Sequence, residues 1–122
     1  MEVGSYTSYA ENLDWVYNLK NRCTMPVLHS ILSDYDIYES VFTLSADTRA
    51  KIMGDCHIGY QTMNRAIEEL KSVGALLPFI RVNPVTGEQH YNKSRLLVNP
   101  RMFWSRDEAS RQEFIRRMDS MN

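Results

Sequence analysis

The chain has little that would support covalent, redox or metal chemistry. It holds two cysteines, Cys23 and Cys56, and neither has a second cysteine close by. They read as reduced, partly buried thiols rather than a disulfide or a Cys-x-x-Cys metal site. The three histidines, His29, His57 and His90, are widely separated. There is thus no His-x-His pair for a metal-dependent DNA-nicking centre and no ligand spacing for zinc. The five glycines form no phosphate-binding loop, which argues against nucleotide hydrolysis. No apolar run is longer than four residues, so no segment spans a membrane. The first residues, Met1 to Tyr6, lack the basic and apolar regions of a secretory leader. These absences predict a cytoplasmic chain that is not an enzyme and takes no cofactor or metal. At 122 residues one domain is expected, or one domain with terminal extensions.

An overall charge of −1 also excludes a uniformly basic nucleic-acid binder, but the charge is unevenly placed. Residues 1–59 carry four cations against eight carboxylates, residues 60–106 seven against three, and residues 107–122 three against four. The segments are therefore −4, +4 and −1. The local field governs phosphate binding more than the total does, which directs attention to residues 60–106.

That basic stretch opens with the most strongly patterned segment of the chain. Met63, Ala66, Ile67, Leu70 and Val73 recur at spacings of three and four and define one helix face. Gly74 stands where a left-handed C-terminal cap suits glycine. Gln61, Arg65, Glu68 and Ser72 lie opposite, flanked by Thr62 and Asn64. Arg pairs with guanine, and Asn or Gln with adenine, through two parallel hydrogen bonds on the major-groove edge. An ordinary solvated helix would show the same polarity, so the neighbouring elements carry the weight.

Ser8-Tyr9-Ala10-Glu11 has the spacing of a capping box and predicts a helix from Ser8 to about Lys20. A second helix is expected from Thr24, with Pro26 in its first turn and Val27, Leu28, Ile31 and Leu32 buried. It ends at Asp34-Tyr35-Asp36, which reads as a helix end rather than a carboxylate pair for acid–base work. Val41–Leu44 reads as a short strand. Ser45 caps a third helix, Ala46 to about Met53, and Gly54–Gly59 is the turn before the patterned helix. Cys56-His57, placed before a helix N-terminus, would have a lowered thiol pKa if that dipole reached it. Two strands follow, Leu76–Val82 and Gln89–Val98, joined by the turn Asn83-Pro84-Val85-Thr86-Gly87-Glu88. Pro78 assigns the first of them to a sheet edge, and Asn99-Pro100 ends the second. Ser105-Arg106-Asp107-Glu108 predicts a last capped helix with Phe114, Ile115 and Met118 on a thin apolar face. Trp15 and Trp104 are expected to bury against the core.

The expected fold is mainly α with a small β-wing: a winged helix-turn-helix at 24–104, an N-terminal helical extension at 1–23 and a C-terminal helix at 105–122. This pattern predicts a partner, double-stranded DNA. Gln61, Thr62, Asn64 and Arg65 would meet base edges, and Tyr60 and Lys71 the backbone or sugar. Arg81, His90, Lys93 and Arg95 on the wing would reach phosphates or the minor groove. Two-fold DNA sites favour a homodimer, with the terminal helices as the candidate contacts.

Two segments carry a family resemblance. Tyr60-Gln61-Thr62-Met63-Asn64-Arg65-Ala66-Ile67-Glu68-Glu69-Leu70 with Gly74-Ala75-Leu76 resembles the reading helix of the RepL-type plasmid replication initiators of Gram-positive bacteria. Leu96-Leu97-Val98-Asn99-Pro100-Arg101-Met102-Phe103 resembles the strand and Asn-Pro-x-x-Phe segment that closes their wing. Trp15–Leu19 followed by Val27–Leu32 is similar in spacing, so the resemblance covers roughly residues 15–106. The chain departs from the family pattern after Phe103, where Trp104-Ser105-Arg106 replaces a lysine-glycine turn. The resemblance implies binding to a plasmid or phage origin, with host replication or transcription proteins as further partners. A transcriptional regulator using the same surface, and a winged helix that docks a protein instead of DNA, stay open at this point.

Overall fold

A computed structural model describes residues 6–9 and 12–120, without the side chains of Arg81, Tyr91 and Lys93. The elements run β1 (Thr7–Ser8), a 3-10 helix (Asp14–Asn18), α1 (Thr24–Leu32), β2 (Val41–Thr43), α2 (Ala46–Cys56) and α3 (Tyr60–Ser72). They continue with β3 (Leu76–Val82), β4 (Gln89–Val98), β5 (Phe103–Trp104) and α4 (Glu108–Ser120). The four helices stand with a small antiparallel sheet of order β2-β4-β3 and a separate β1-β5 pair.

The core follows the apolar periodicity. Val27, Leu28, Ile31 and Leu32 of α1 are fully buried with Met63, Ala66, Ile67 and Leu70 of α3, and Phe42, Leu76, Leu96 and Val98 close the cluster from the sheet. Ser45 caps α2 as expected: its hydroxyl accepts from Thr48 N at 3.2 Å while Ser45 N donates to Thr48 Oγ1 at 2.8 Å. Gly74 takes φ +81° just beyond α3, the left-handed geometry that ends a helix most cheaply at glycine. In the hairpin turn Asn83 Oδ1 accepts from Val85 N at 2.9 Å and Gly87 takes φ +73°. Strand β3 lies at the sheet edge, where Pro78 removes no ladder bond from a central strand.

Three expectations fail. Residues 8–20 do not form one helix. Ser8 is in β1, paired with Phe103, and Tyr9 N donates to Met102 O at 3.0 Å, so the backbone groups a cap would organise are spent on strand pairing. Ala10 and Glu11 of that supposed capping box lie outside the described residues. In its place stands a short 3-10 helix at Asp14–Asn18, with the half-buried Leu13 and Trp15 packed against the core. Among the described residues of this N-terminal extension there is no α-helix. Second, α2 continues through Gly54 to Cys56, and the turn shortens to His57–Gly59, with His57 in the left-handed conformation at φ 55°. Third, α4 is capped by Asp107, whose carboxylate accepts from Ser110 N at 3.1 Å. Ser105 is unavailable because its hydroxyl is 2.8 Å from the Tyr35 hydroxyl.

Two polar links set the ends of α3. At its far end Asn99, buried, donates from Nδ2 to Gly74 O at 2.8 Å and accepts Arg101 N at 3.0 Å, while its own N–H reaches Ala75 O at 3.0 Å. This ties the exit of α3 to the exit of β4. Along its flank Glu69 accepts from Lys20 N at 2.8 Å, from Asn21 N at 3.3 Å and, in a short bond, from the Thr24 hydroxyl. The segment that enters α1 is therefore fastened to α3 by its backbone. The C-terminal helix is fastened by Arg111, 8% exposed, which donates to Pro100 O at 2.7 Å and Arg101 O at 3.2 Å and stacks 3.7 Å above the Tyr9 ring.

Replacing Asn99 by Ala strips partners from Gly74 O and Arg101 N, and is expected to cost about 1–3 kcal/mol in urea unfolding. Glu69 gives a pH signature. The Thr24 hydroxyl first, then the Lys20 N–H, hold its carboxyl below the ordinary glutamate range. A depressed folded-state pKa adds stability above the unfolded-state value, and that stability disappears as pH falls through the folded-state value. The unfolding midpoint of the parent should therefore drop more steeply than that of Glu69→Gln on acidification below the ordinary glutamate range. Parallel curves would mean that the Glu69 bonds do not form in solution.

Candidate nucleic-acid interface

Helix α3 turns its apolar stripe inward and so presents the opposite face. Gln61 and Arg65 are exposed, Thr62 and Asn64 half-exposed. No hydrogen bond or ion pair engages any of these four side chains among the described residues, and each keeps its donors and acceptors for an outside partner. Their neighbours on the helix are spent. Glu68 pairs with Lys71 at 3.1 Å, and Glu69 holds the Lys20–Thr24 backbone. Lys71, expected to touch a DNA backbone, is half-buried and tied into that pair.

At the start of α3 Tyr60 is 52% exposed. Its hydroxyl accepts from Arg49 Nη1 at 3.3 Å, and the Arg49 guanidinium stands 5.9 Å from the ring centroid. Arg49 belongs to α2 and reaches across the turn, bringing a cation to the N-terminal end of α3. Its Nε is buried without a partner. Periodicity within α3 could not reveal it, because the contact is set by how α2 and α3 cross.

The hairpin divides into two parts. Its outer ladder pairs Phe79↔Asn92, Ile80↔Tyr91, Arg81↔His90 and Val82↔Gln89, whereas the root pairs Leu76↔Val98, Leu77↔Leu97 and Pro78↔Leu96. The register therefore jumps between Pro78 and Phe79, leaving Lys93, Ser94 and Arg95 of β4 without a β3 partner. Asn92 Oδ1 accepting Ser94 N at 2.9 Å shapes this bulge, and Ser94 O accepts Leu44 N at 2.6 Å. The four expected wing residues consequently do not share one ladder. Arg81 and His90 face each other across the outer strands, Lys93 sits in the bulge, and Arg95 pairs with Thr43 of β2 at the root. Arg95 is half-buried with its guanidinium 5.8 Å from the Phe79 ring, and His90 is exposed, 3.9 Å from Glu88. Ile80, Val82 and Val85 make the outer hairpin apolar as well, with Val85 89% exposed.

The basic excess of residues 60–106 is smaller at the surface than in the sequence. Arg101 pairs with Asp119 at 2.6 Å. Arg106 donates to Ile37 O at 3.2 Å and Tyr38 O at 3.1 Å and stacks against the Tyr38 and Trp104 rings. Both cations serve the fold. In exchange the structure brings up two that were assigned to the acidic half: Lys20 and Arg22 stand beside α3, across an open depression whose other wall is Thr62, Arg65 and Glu69.

Among the described residues no three of His, Cys, Asp and Glu converge as a metal-binding group. Cys56 ends α2 instead of starting a helix, and burial, followed by the Asp55 charge, pushes its thiol up rather than down, which overturns the activated-thiolate reading. Among the described residues no helix is long and apolar enough to cross a membrane. Comparisons of the chain with protein-family models, with curated proteins and with solved structures found no match.

Proposed function

We propose that the chain is a non-enzymatic winged helix-turn-helix protein that binds double-stranded DNA sequence-specifically, at a plasmid or phage replication origin. The observation that carries this reading is the row Gln61, Thr62, Asn64 and Arg65: four side chains suited to base edges, gathered on the first two turns of one helix and unengaged among the described residues. The order α1-β2-α2-α3-β3-β4 and the sheet order β2-β4-β3 support the fold assignment. The short turn His57–Gly59 sets α2 to brace α3.

Base contacts are assigned to Gln61, Thr62, Asn64 and Arg65, and backbone contacts to Tyr60 and the outer hairpin around Arg81 and His90. The origin-binding setting rests on the RepL-type resemblance of Tyr60–Leu76 and Leu96–Phe103, and a promoter-binding regulator would use the same surface. One observation favours a different class. So many cations of residues 60–106 are consumed internally that the domain could instead dock a protein.

Selection of bound duplexes from a random library, followed by titration of the best site, separates these readings. Arg65→Ala is expected to weaken that site by about 1–3 kcal/mol and to relax preference at one base pair. Undiminished binding by the variant would show that α3 is not the reading helix. Absence of any duplex binding by the parent at low salt would leave the protein-docking class.

A further inference from the structure

We propose that the open depression between the Lys20–Arg22 segment and the flank of α3 seats a sugar–phosphate strand of duplex DNA, with Lys20 and Arg22 as phosphate contacts. This inference rests on the reading that α3 enters the major groove.

The depression has a volume of about 510 Å³ and is lined by Lys20, Asn21, Arg22, Thr62, Arg65 and Glu69. Three cations thus face one carboxylate. That carboxylate is already occupied: Oε2 accepts Lys20 N at 2.8 Å, and Oε1 accepts Asn21 N at 3.3 Å and the Thr24 hydroxyl. Its bonds go to the main chain and a hydroxyl, so the ammonium of Lys20 and the guanidinium of Arg22 keep their donors. Lys20 and Arg22 are exposed, and neither side chain makes a hydrogen bond or ion pair among the described residues. Lys51, Arg101, Arg111, Arg116 and Arg117, by contrast, are all paired with carboxylates.

Position selects the ligand. Thr62 and Arg65 belong both to this depression and to the face assigned to base edges. A helix seated in the major groove has a phosphate strand on each side of it, because the groove is only about as wide as the helix. The loop beside such a helix therefore meets a run of phosphates, and unpaired Lys and Arg side chains are the groups that bind them, releasing counterions as they do. Glu69 acts as a positioning residue by fixing the loop backbone at that distance from α3.

The test is the salt dependence of equilibrium binding to a fluorescein-labelled random-sequence duplex, read by anisotropy with the full chain. Lys20→Ala and Arg22→Ala should each lower the log–log salt slope by about one, and the double variant by about two. Thermal unfolding of both should match the parent, since neither side chain is packed. Arg117→Ala removes the same charge from α4 and should leave the slope at the parent's value. A parent that binds with slopes unaltered in the Lys20 and Arg22 variants would overturn the phosphate seat while leaving the DNA reading standing. Equal losses in Arg117→Ala would overturn it too, by showing a net-charge effect. A parent that binds no duplex at low salt would remove the underlying reading and this inference together.

Discussion

The seating of the α3 stripe against α1 is the contact on which the rest of the molecule depends. A helix of 13 residues is marginal on its own in water. Burial of Met63, Ile67 and Leu70 contributes roughly 1.5–3 kcal/mol for each large side chain, several times what intrinsic propensity supplies. Packing therefore decides that α3 exists, and also its rotation. A turn of one residue would bring Arg65 toward Val27 and Ile31, which are fully buried, and an unpaired buried cation costs far more than the packing gains. The polar face is consequently an outcome of the core. Every element that follows takes its place from this one: Gly74 ends the helix, Asn99 ties that end to β4, and the hairpin leaves from there.

The parts of this architecture legible in the sequence are those set by local rules. The 3.6-residue stripe of α3, the Ser45 cap, the left-handed Gly74 and the Asn83–Glu88 turn each depend on residues within a few positions, and strands β3 and β4 follow from the turn between them. What the sequence concealed is set by distant partners. Ser8 has the spacing of a cap, but its backbone is claimed by Phe103, and no local signal announces a partner that far along the chain. Ser105 lost its role to Asp107 because Tyr35 took its hydroxyl. The β4 bulge depends on Asn92 folding back on Ser94 while β2 takes Arg95 as its partner. The candidate site divides in the same way. The exposed row on α3 could be read from periodicity, whereas Arg49, Lys20 and Arg22 reach it only through the tertiary fold.

Charge shows why a formal count misleads. Arg101, Arg106 and Arg111 behave as structural cross-links, donating to backbone carbonyls or a carboxylate near the β4 exit and stacking on Tyr9, Tyr38 and Trp104. Guanidinium suits this work because its planar fork satisfies several carbonyls at once and its face lies on rings. These cations stabilise the fold, and the carboxylates of Asp119 and Glu108 offset the charges of Arg101 and Arg111. Lys20, Arg22 and Arg65, whose side chains make no hydrogen bond or ion pair among the described residues, converge from separate regions of the chain on one side of α3. A chain with net charge −1 can thus present a basic surface, since what an approaching phosphate meets is the set of cations left unpaired within a Debye length, about 8–10 Å.

Glu69 then poses an apparent contradiction, a carboxylate on the face proposed to meet DNA. Three cations, Lys20, Arg22 and Arg65, outnumber it there, and its bonds leave their donors free. Had Glu69 fastened the loop by pairing with the Lys20 ammonium, the anchor would have cancelled a phosphate contact. It instead takes two backbone N–H groups and the Thr24 hydroxyl, so the Lys20 ammonium keeps its own donors. The negative charge is thus stabilised by the N–H groups of the segment that precedes α1 and by the Thr24 hydroxyl. One acidic residue thereby fastens the segment carrying Lys20 and Arg22 to α3, and the depression keeps three cations against one carboxylate. On the proposed reading this rigidity matters more than the charge itself. A bidentate base contact tolerates little displacement, and phosphate contacts fix register only if their own backbone does not move relative to the reading helix. Fastening the loop to α3 through main-chain hydrogen bonds makes positioning and reading parts of a single rigid element.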